Sequence, residues 1–199
     1  MTEVLVFNKW STEGIKVEDI GLEKYISLAP KIVPKSCGKY AGNKFHKSRS
    51  FIVERLINRV MVSGHKSSKH KHSSGHNTGK INSATQIVIK AFEIIEKKTG
   101  ENPIKVLVKA IENGAPREEI ITIQYGGARY PKPLESSPQR RVDIVLKFIT
   151  QGAYQKCFNK KKSAEVALAD EIINAFQLSA NSSIIQKKLE LERQADASR

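Results

Sequence analysis

The stretch Glu119-Ile-Ile-Thr-Ile-Gln-Tyr-Gly-Gly-Ala-Arg-Tyr-Pro-Lys-Pro-Leu-Glu135 interrupts an otherwise helical sequence. β-Branched and aromatic residues run into Gly126-Gly127 and out again, a pattern typical of a β-hairpin with the two glycines at its tip. Proline has no backbone N–H to donate within a sheet. Pro131 and Pro133 therefore predict that the returning strand lies at a sheet edge or is irregular.

The polar side chains of this hairpin indicate that it points away from the core. Arg129, Tyr130 and Lys132 lie at or just after the tip. A hairpin inserted between helices and rich in such residues predicts a probe that reaches outward to a partner. Because isolated hairpins are only marginally stable, we expect the tip to order fully on that partner.

Helical periodicity covers most of the chain around the hairpin. Apolar residues recur at steps of three and four, Asn102-Pro103 and Ser137-Pro138 mark helix starts, and Gly100 and Gly114 mark helix ends. The predicted helices cover residues 48–62, then run from Ser83 to Gly100, from Pro103 to Gly114, from Pro138, from Ser163, and over about 183–196, the last anchored by Ile185 and Leu189.

These elements predict a mainly α protein, a single domain of about six helices with a protruding β-hairpin and an N-terminal extension. We expect residues 1–46 to form the extension and a basic arm, and residues 47–199 to form the helical domain. Residues 64–80 predict a flexible basic loop between two helices.

The N-terminal extension has a mixed pattern. Val4, Val6 and Phe7 suggest a short strand, whereas Pro30 and Pro34 prevent a long element. We expect the extension to pack along the helical body.

Composition excludes several classes of protein. The chain has 199 residues, of which 39% are hydrophobic, and no apolar run approaches the ~20 residues that span a bilayer. The first residues resemble neither a signal peptide nor an anchor. Two cysteines, Cys37 and Cys157, cannot build a disulfide framework, so a reducing, cytoplasmic compartment is expected.

Positive charge is concentrated in two blocks. The formal net charge is +14, from 34 Lys and Arg against 20 Asp and Glu. Residues 35–80 contain a single acidic residue, Glu54, and residues 120–162 contain only Glu135 and Asp143, whereas the rest of the chain is near neutral. If the two blocks fold onto one face, they make a wide phosphate-binding surface, so nucleic acid is the leading candidate partner.

Basic residues of both blocks are therefore candidate RNA contacts. The polar face of the 48–62 helix is predicted to carry Arg49, Arg55 and Arg59. Arg140 and Arg141 fall in the first turn of a helix, where cations oppose the macrodipole, a cost that phosphate contacts would offset. The remaining candidates are Lys35, Lys39, Lys44, Lys47, Lys66, Lys69, Lys71, Lys80, Arg129, Tyr130 and Lys132.

No catalytic or metal site is predicted, and no cofactor. His70, His72 and His76 could converge on zinc, but no cysteine or carboxylate joins them and interleaved lysines repel a dication. Gly75 to Lys80 is too short for a phosphate-binding loop and lacks a Ser or Thr after its lysine. The acidic residues expected on solvent-facing helix surfaces include Glu93, Glu96, Asp170, Glu171, Glu190 and Glu192.

Several motifs, in order and spacing, resemble the small-subunit ribosomal protein seven family, whose eukaryotic branch is called ribosomal protein five. The resemblance covers nearly the whole chain, and Lys9-Trp-Ser-Thr is similar to the archaeal and eukaryotic branch. The motifs are Gly38-Lys-Tyr-Ala, Phe51-Ile-Val-Glu-Arg-Leu-Ile-Asn-Arg-Val-Met-Val-Ser-Gly64, Ala91-Phe-Glu-Ile-Ile-Glu96, Gly100-Glu-Asn-Pro-Ile-Lys-Val-Leu-Val108, Pro116-Arg-Glu-Glu, Tyr125-Gly-Gly-Ala-Arg-Tyr130, Ser137-Pro-Gln-Arg-Arg141 and Ile185-Gln-Lys-Lys-Leu-Glu-Leu-Glu-Arg193.

The resemblance implies a structural, non-enzymatic role in the small ribosomal subunit. It implies binding to small-subunit rRNA in the head, early head assembly, and neighbouring proteins of the head and platform. It also implies a hairpin that projects toward the exit-site tRNA and the mRNA path, with Tyr125 to Tyr130 as its tip. Loop 65–79 is longer than in the family, and Pro131 to Ser136 is richer in proline.

Three other functions are weighed against this one. A helical DNA-binding protein would use the arginine face of residues 48–62 but leaves the hairpin unexplained. A metal-dependent enzyme built on the histidines has no acid or base partner. A membrane-surface protein needs a basic amphipathic helix, and the only candidate, 183–196, is too acidic.

Overall fold

The computed structural model of the protein describes residues 4–63 and 76–199. The described part is mainly helical, with one antiparallel β-hairpin. The helices are α1 Ile20–Glu23, α2 His46–Arg49, α3 Ile52–Val60, α4 Ile81–Thr99, α5 Pro103–Gly114, α6 Pro138–Cys157, α7 Ala164–Phe176 and α8 Ser183–Ala197. The strands are β1 Glu118–Tyr125 and β2 Ala128–Glu135. Six helices of nine residues or more and the hairpin confirm the predicted fold class.

Helix α7 lies at the centre of the molecule and packs against α4, α5 and α6. Its buried face is rich in alanine, including Ala167, Ala169 and Ala175, and small side chains let the neighbouring helices approach closely. Phe92 of α4 and Ile149 of α6 are fully buried around it. Among the described residues, no helix combines the length and apolar character needed to cross a bilayer.

Most predicted helix boundaries agree with the structure, although the side chains of Ser137 and Ser163 make no capping hydrogen bond. The Asn102 side chain accepts a hydrogen bond from Ile104 N at 3.0 Å, and Gly100 ends α4 with φ +69°. The predicted cap at Ser83 is wrong, because the turn formed by residues 76–79 leads directly into Ile81 and α4 begins there. Ser83 is an exposed residue inside that helix.

The single helix predicted over 48–62 is divided in two. Ser50 has an extended backbone, with φ −77° and ψ 136°, and Phe51 is fully buried beside Ser27 of the extension. Ile52 N donates to Ser27 O at 3.1 Å. Tertiary pairing with the extension therefore outweighs the helical periodicity, and it separates Arg49 in α2 from the arginines of α3.

The N-terminal extension contributes to the core. Trp10 is 4% exposed, packs edge-on against Phe92 with ring centroids 5.6 Å apart, and donates from Nε1 to Glu96 at 3.1 Å. The predicted strand at Val4 to Phe7 is wrong. Phe7 and Asn8 have φ of +54° and +57°, so the chain turns back and leaves only an isolated bridge between Val6 and Trp10.

The hairpin projects from the body, and residues 121–132 are all exposed. Its register pairs Tyr125 with Ala128 at the tip and continues without a break to Glu118 and Glu135. Both strands are edges of a two-stranded sheet, so the prolines are tolerated and the alternative of an irregular returning strand is wrong. Helix α8 packs against the base of β1, where Arg199 forms an ion pair with Glu118 at 2.6 Å.

Helix α8 is held at its start by Glu171 of α7. This carboxylate is completely buried, and its Oε1 accepts hydrogen bonds from Ser183 N at 2.7 Å and Ile184 N at 3.3 Å. Its Oε2 pairs with Lys156. The prediction of a solvent-facing Glu171 is therefore wrong, because the first turn of α8 and a lysine both need an acceptor at this place.

The anchors of α8 also differ in part from the prediction. Ile184 and Ile185 are buried, but Leu189 is 60% exposed. Gly152 of α6 makes the close approach possible, because a Cβ there would lie 2.0 Å from Ser183 Oγ.

Candidate nucleic-acid interface

Two adjoining grooves bring the two basic blocks of the sequence together. The first lies between the arm, residues 35–47, and α3, and the second lies between Phe45, α3 and the first turns of α6. Arg59 and Asp143 line both grooves. We call the pair the cationic cleft, and its basic lining residues are Lys35, Lys47, Arg55, Arg59, Arg140 and Lys147.

Glu54 attaches the arm to α3. The side chain is 4% exposed, Ser36 N donates to its Oε1 at 2.8 Å, and Lys31 Nζ lies 3.7 Å from its Oε2. The only acidic residue of the first basic block is thus turned inward and used for structure. It leaves the outward surface of that block without negative charge.

Asp143, an acidic residue of the second basic block, is likewise used for internal contacts. Its carboxylate accepts from Lys47 Nζ at 2.9 Å and from Arg55 NH2 at 3.2 Å, which joins the arm, α3 and α6. Burial by itself raises the pKa of Asp143, but the Lys47 hydrogen bond and the Arg55 charge outweigh it, and the pKa lies below its usual value. The group is therefore an anion that two cations already neutralise.

Arg55 is not on the exposed face where the sequence predicted it. The residue is 6% exposed, and its guanidinium donates to Tyr25 O at 2.9 Å as well as to Asp143. The extension and α6 cover this side of α3, which a helical-wheel argument on one helix does not include. Burial lowers the pKa of Arg55 and Asp143 opposes the shift, so the charge is kept for an internal role.

The Arg140-Arg141 pair is divided between two environments. Arg140 has a side chain that is 61% exposed, and its guanidinium forms a two-point ion pair with Glu119, which is why the pKa of Glu119 is lowered. Arg141 has a side chain that is only 13% exposed and donates to Asp19 at 2.9 Å and to Pro116 O at 3.1 Å. Only Arg140 is placed to meet a partner.

The other described candidates are cations without a carboxylate partner among the described residues. Arg59 is half-buried at the centre of the cleft, and the rest are exposed. Such side chains are available to neutralise phosphates. They are Lys35, Lys39, Lys44, Arg49, Arg59, Lys80, Arg129 and Lys132.

Part of the predicted basic loop lies outside the described residues. This applies to Lys66, Lys69 and Lys71, and to the histidines other than His46 and His76. Within residues 4–63 and 76–199, no group of three or more metal-ligating side chains occurs.

Sequence reasoning missed two residues of the cleft. Lys147 lies on the same face of α6 as Arg140, seven residues later, and that spacing could have identified it. Phe45 stands between basic residues in the arm, as Lys44-Phe-His-Lys47, and an aromatic residue interleaved with cations is a signal for nucleic-acid contact.

Comparison with known proteins gives the family. The model of the family described as ribosomal protein S7p/S5e matches residues 22–199. The small ribosomal subunit protein uS7 of Nanoarchaeum equitans is 50% identical over 98% of each chain, and that of Methanothermobacter thermautotrophicus is 49% identical over 95% of this chain and 96% of its own. The uS7 protein of Archaeoglobus fulgidus is 47% identical over 99% of this chain and 96% of its own. Matched almost end to end by such relatives, the chain belongs to the ribosomal protein S7p/S5e family.

Proposed function

We propose that this protein is a structural constituent of the small ribosomal subunit that binds rRNA of the subunit head through the cationic cleft and the basic residues around it. It acts in the cytoplasmic ribosome, beside other small-subunit proteins of the head and platform. The family is one of structural, non-enzymatic ribosomal proteins, so the function is binding rather than catalysis.

The observation that carries this proposal is the meeting of both basic blocks at Arg59. Residues of the first block and of α6 line the same cleft, and the two acids there, Glu54 and Asp143, are already neutralised by internal contacts. The remaining cations need counterions, and the phosphates of a folded RNA supply them over a wide surface. Head assembly follows, because one protein that contacts several RNA segments holds them together.

The hairpin supports a second contact, away from the cleft. Its twelve exposed residues, 121–132, carry Arg129, Tyr130 and Lys132 beyond the body. A rigid body bound to rRNA with a projecting hairpin can reach a mobile ligand of the same subunit. We propose that this ligand is the exit-site tRNA, with the mRNA path beside it.

A salt titration tests the proposal. Affinity for a small-subunit head RNA fragment is measured at several salt concentrations, with duplex DNA of equal length as competitor. Preferential RNA binding that survives ~0.2 M salt, with a slope corresponding to several phosphates, supports it. Equal affinity for RNA and DNA that vanishes at that salt would overturn it.

A further inference from the structure

Phe45 is exposed in a position where its backbone is strained. The residue is 65% exposed and has φ +54° and ψ +29° at the start of α2. A bulky side chain rarely adopts this left-handed conformation, and such outliers concentrate at functional sites. The turn is held by Ser48, whose N and Oγ donate to Phe45 O at 3.0 and 2.7 Å. These hydrogen bonds hold the strained turn in which the large apolar ring is exposed.

The groove beside the ring is polar and cationic. Besides Phe45, Ile144 and the already paired Asp143, it is lined by Arg59, Ser137, Gln139, Arg140 and Lys147. Ser137 precedes α6 as its N-cap residue, but its side chain makes no capping hydrogen bond. The Gln139 side chain likewise has no partner among the described residues, so both polar groups can bind a ligand that enters the groove.

We propose that Phe45 forms a stacking platform for one unpaired base of the bound RNA. The base lies against the ring, Arg59 and Lys147 contact the phosphates on either side of it, and Ser137 and Gln139 contact its polar edge. The inference rests on the proposed function, and it adds that the cleft recognises a single-stranded or bulged nucleotide rather than continuous duplex.

The chemistry of the groove favours a nucleotide over other occupants. An apolar protein side chain on Phe45 would bury Arg59 and Lys147 without a counter-charge, which is costly. A nucleotide supplies a flat π-face for the ring and an anion for each neighbouring cation at once. Bases inside a continuous duplex have no free face, so the nucleotide must be unstacked.

The test compares variants of the full chain in salt titrations with the head rRNA fragment. Phe45→Ala removes the ring, and Phe45→Trp restores a stacking surface. Leu178→Ala is the matched control, because Leu178 is also an exposed apolar residue with a positive φ, of 53°, but does not line the cleft. Arg59→Ala provides a second comparison, because it removes one cation from the cleft and leaves the ring of Phe45 in place.

We expect Phe45→Ala to weaken binding by about 5- to 150-fold, the range given by base–aromatic stacking, at every salt concentration and with an unchanged salt slope. Phe45→Trp should bind like the wild type, as should Leu178→Ala. Arg59→Ala should lower the slope by about one. A set of RNA fragments carries 2-aminopurine, each at a different unpaired position. At one of these positions the 2-aminopurine fluorescence should be quenched by the wild type and by Phe45→Trp, but not by Phe45→Ala.

Two results would overturn the inference. One is Phe45→Ala binding like the wild type while Arg59→Ala is weakened, which leaves the proposed function intact. The other is a salt slope that falls with Phe45→Ala, which would mean that the arm itself has been displaced. Failure of the proposed function is separate, because there the wild type shows no preference for RNA.

Discussion

Arg141 and Asp19 are joined by an ion pair of 2.9 Å although 122 positions separate them in the sequence. The same carboxylate caps α1 by accepting from Gly21 N at 2.8 Å, and Arg141 also donates to Pro116 O at 3.1 Å. The extension, the segment before the hairpin and the first turn of α6 therefore meet at one guanidinium. This arrangement explains how a cation is retained in the first turn of a helix without a phosphate.

Replacing Arg141 with alanine should destabilise the fold. The substitution removes a largely buried charge-assisted contact and leaves Pro116 O without its partner, so the free energy of unfolding should fall by about 1.5–3 kcal/mol. Arg140→Ala is the matched control, since its exposed ion pair contributes less than ~1 kcal/mol. Urea denaturation measures both. Equal stabilities of the two variants would contradict the assignment of Arg141 to the fold and of Arg140 to the surface.

The sequence predicted well the features that depend on local chemistry. Asn102-Pro103, Gly100 and the Gly126-Gly127 turn act through their own backbone or through neighbours, so the end of α4, the start of α5 and the hairpin followed from the pattern. The environments of Arg55, Arg141 and Glu171 could not be predicted in this way. Each of these environments is determined by an element distant in sequence. The periodicity of a single helix identifies its polar face but not the element that packs against that face.

The cationic cleft was predictable only in part. Two basic blocks indicated a shared surface, but Arg59 as the place where they meet depends on the packing of α3 against α6. Phe45 is exposed and has a left-handed backbone conformation that no residue pattern in the arm specifies.

Glu171 should be among the most sensitive positions in the chain. Glu171→Ala leaves the buried backbone N–H groups at the start of α8 without their acceptor and Lys156 without its ion-pair partner, so we expect a loss of about 3–5 kcal/mol in the free energy of unfolding. The matched control is Glu190→Ala, because Glu190 pairs with Lys187 on the exposed side of α8. Its denaturation midpoint should equal that of the wild type, and a similar midpoint for Glu171→Ala would refute the buried role.

Asp143 should make stability depend on pH in acid. Its pKa in the folded protein lies below the usual 3.8, so its contribution is fully present above that value and is lost as pH falls through the folded pKa. The stability difference between wild type and Asp143→Asn should therefore be constant above about pH 5 and shrink toward about pH 2. Urea denaturation across this range measures the difference. A difference that stays constant to the lowest pH would show that the Lys47 and Arg55 contacts do not act through charge.

The two cysteines should differ in reactivity toward a thiol reagent. Burial raises the pKa of Cys157, and its Sγ lies 3.3 Å from Tyr154 O, whereas Cys37 is exposed. Because the thiolate is the reacting species, Ellman's reagent should show a fast phase from Cys37 and a slow phase from Cys157. Cys37→Ala should abolish the fast phase alone. A fast phase that survives this substitution would contradict the assignment.

Shortening the hairpin should separate folding, rRNA binding and contact with tRNA. Replacing residues 122–131 with Asn-Gly closes a two-residue turn on the Ile121–Lys132 pair, because Lys132 has the backbone N–H that Pro133 lacks. Every removed residue is exposed, so the free energy of unfolding should change by less than ~1 kcal/mol. The cleft is untouched, so affinity for the head rRNA fragment should stay within about threefold of the wild type. Small subunits reconstituted with the shortened protein should nevertheless hold deacylated tRNA in the exit site more weakly, because Arg129 and Tyr130 are gone. A large loss of rRNA affinity would assign the tip to the rRNA interface, and unchanged tRNA retention would remove it from the tRNA path.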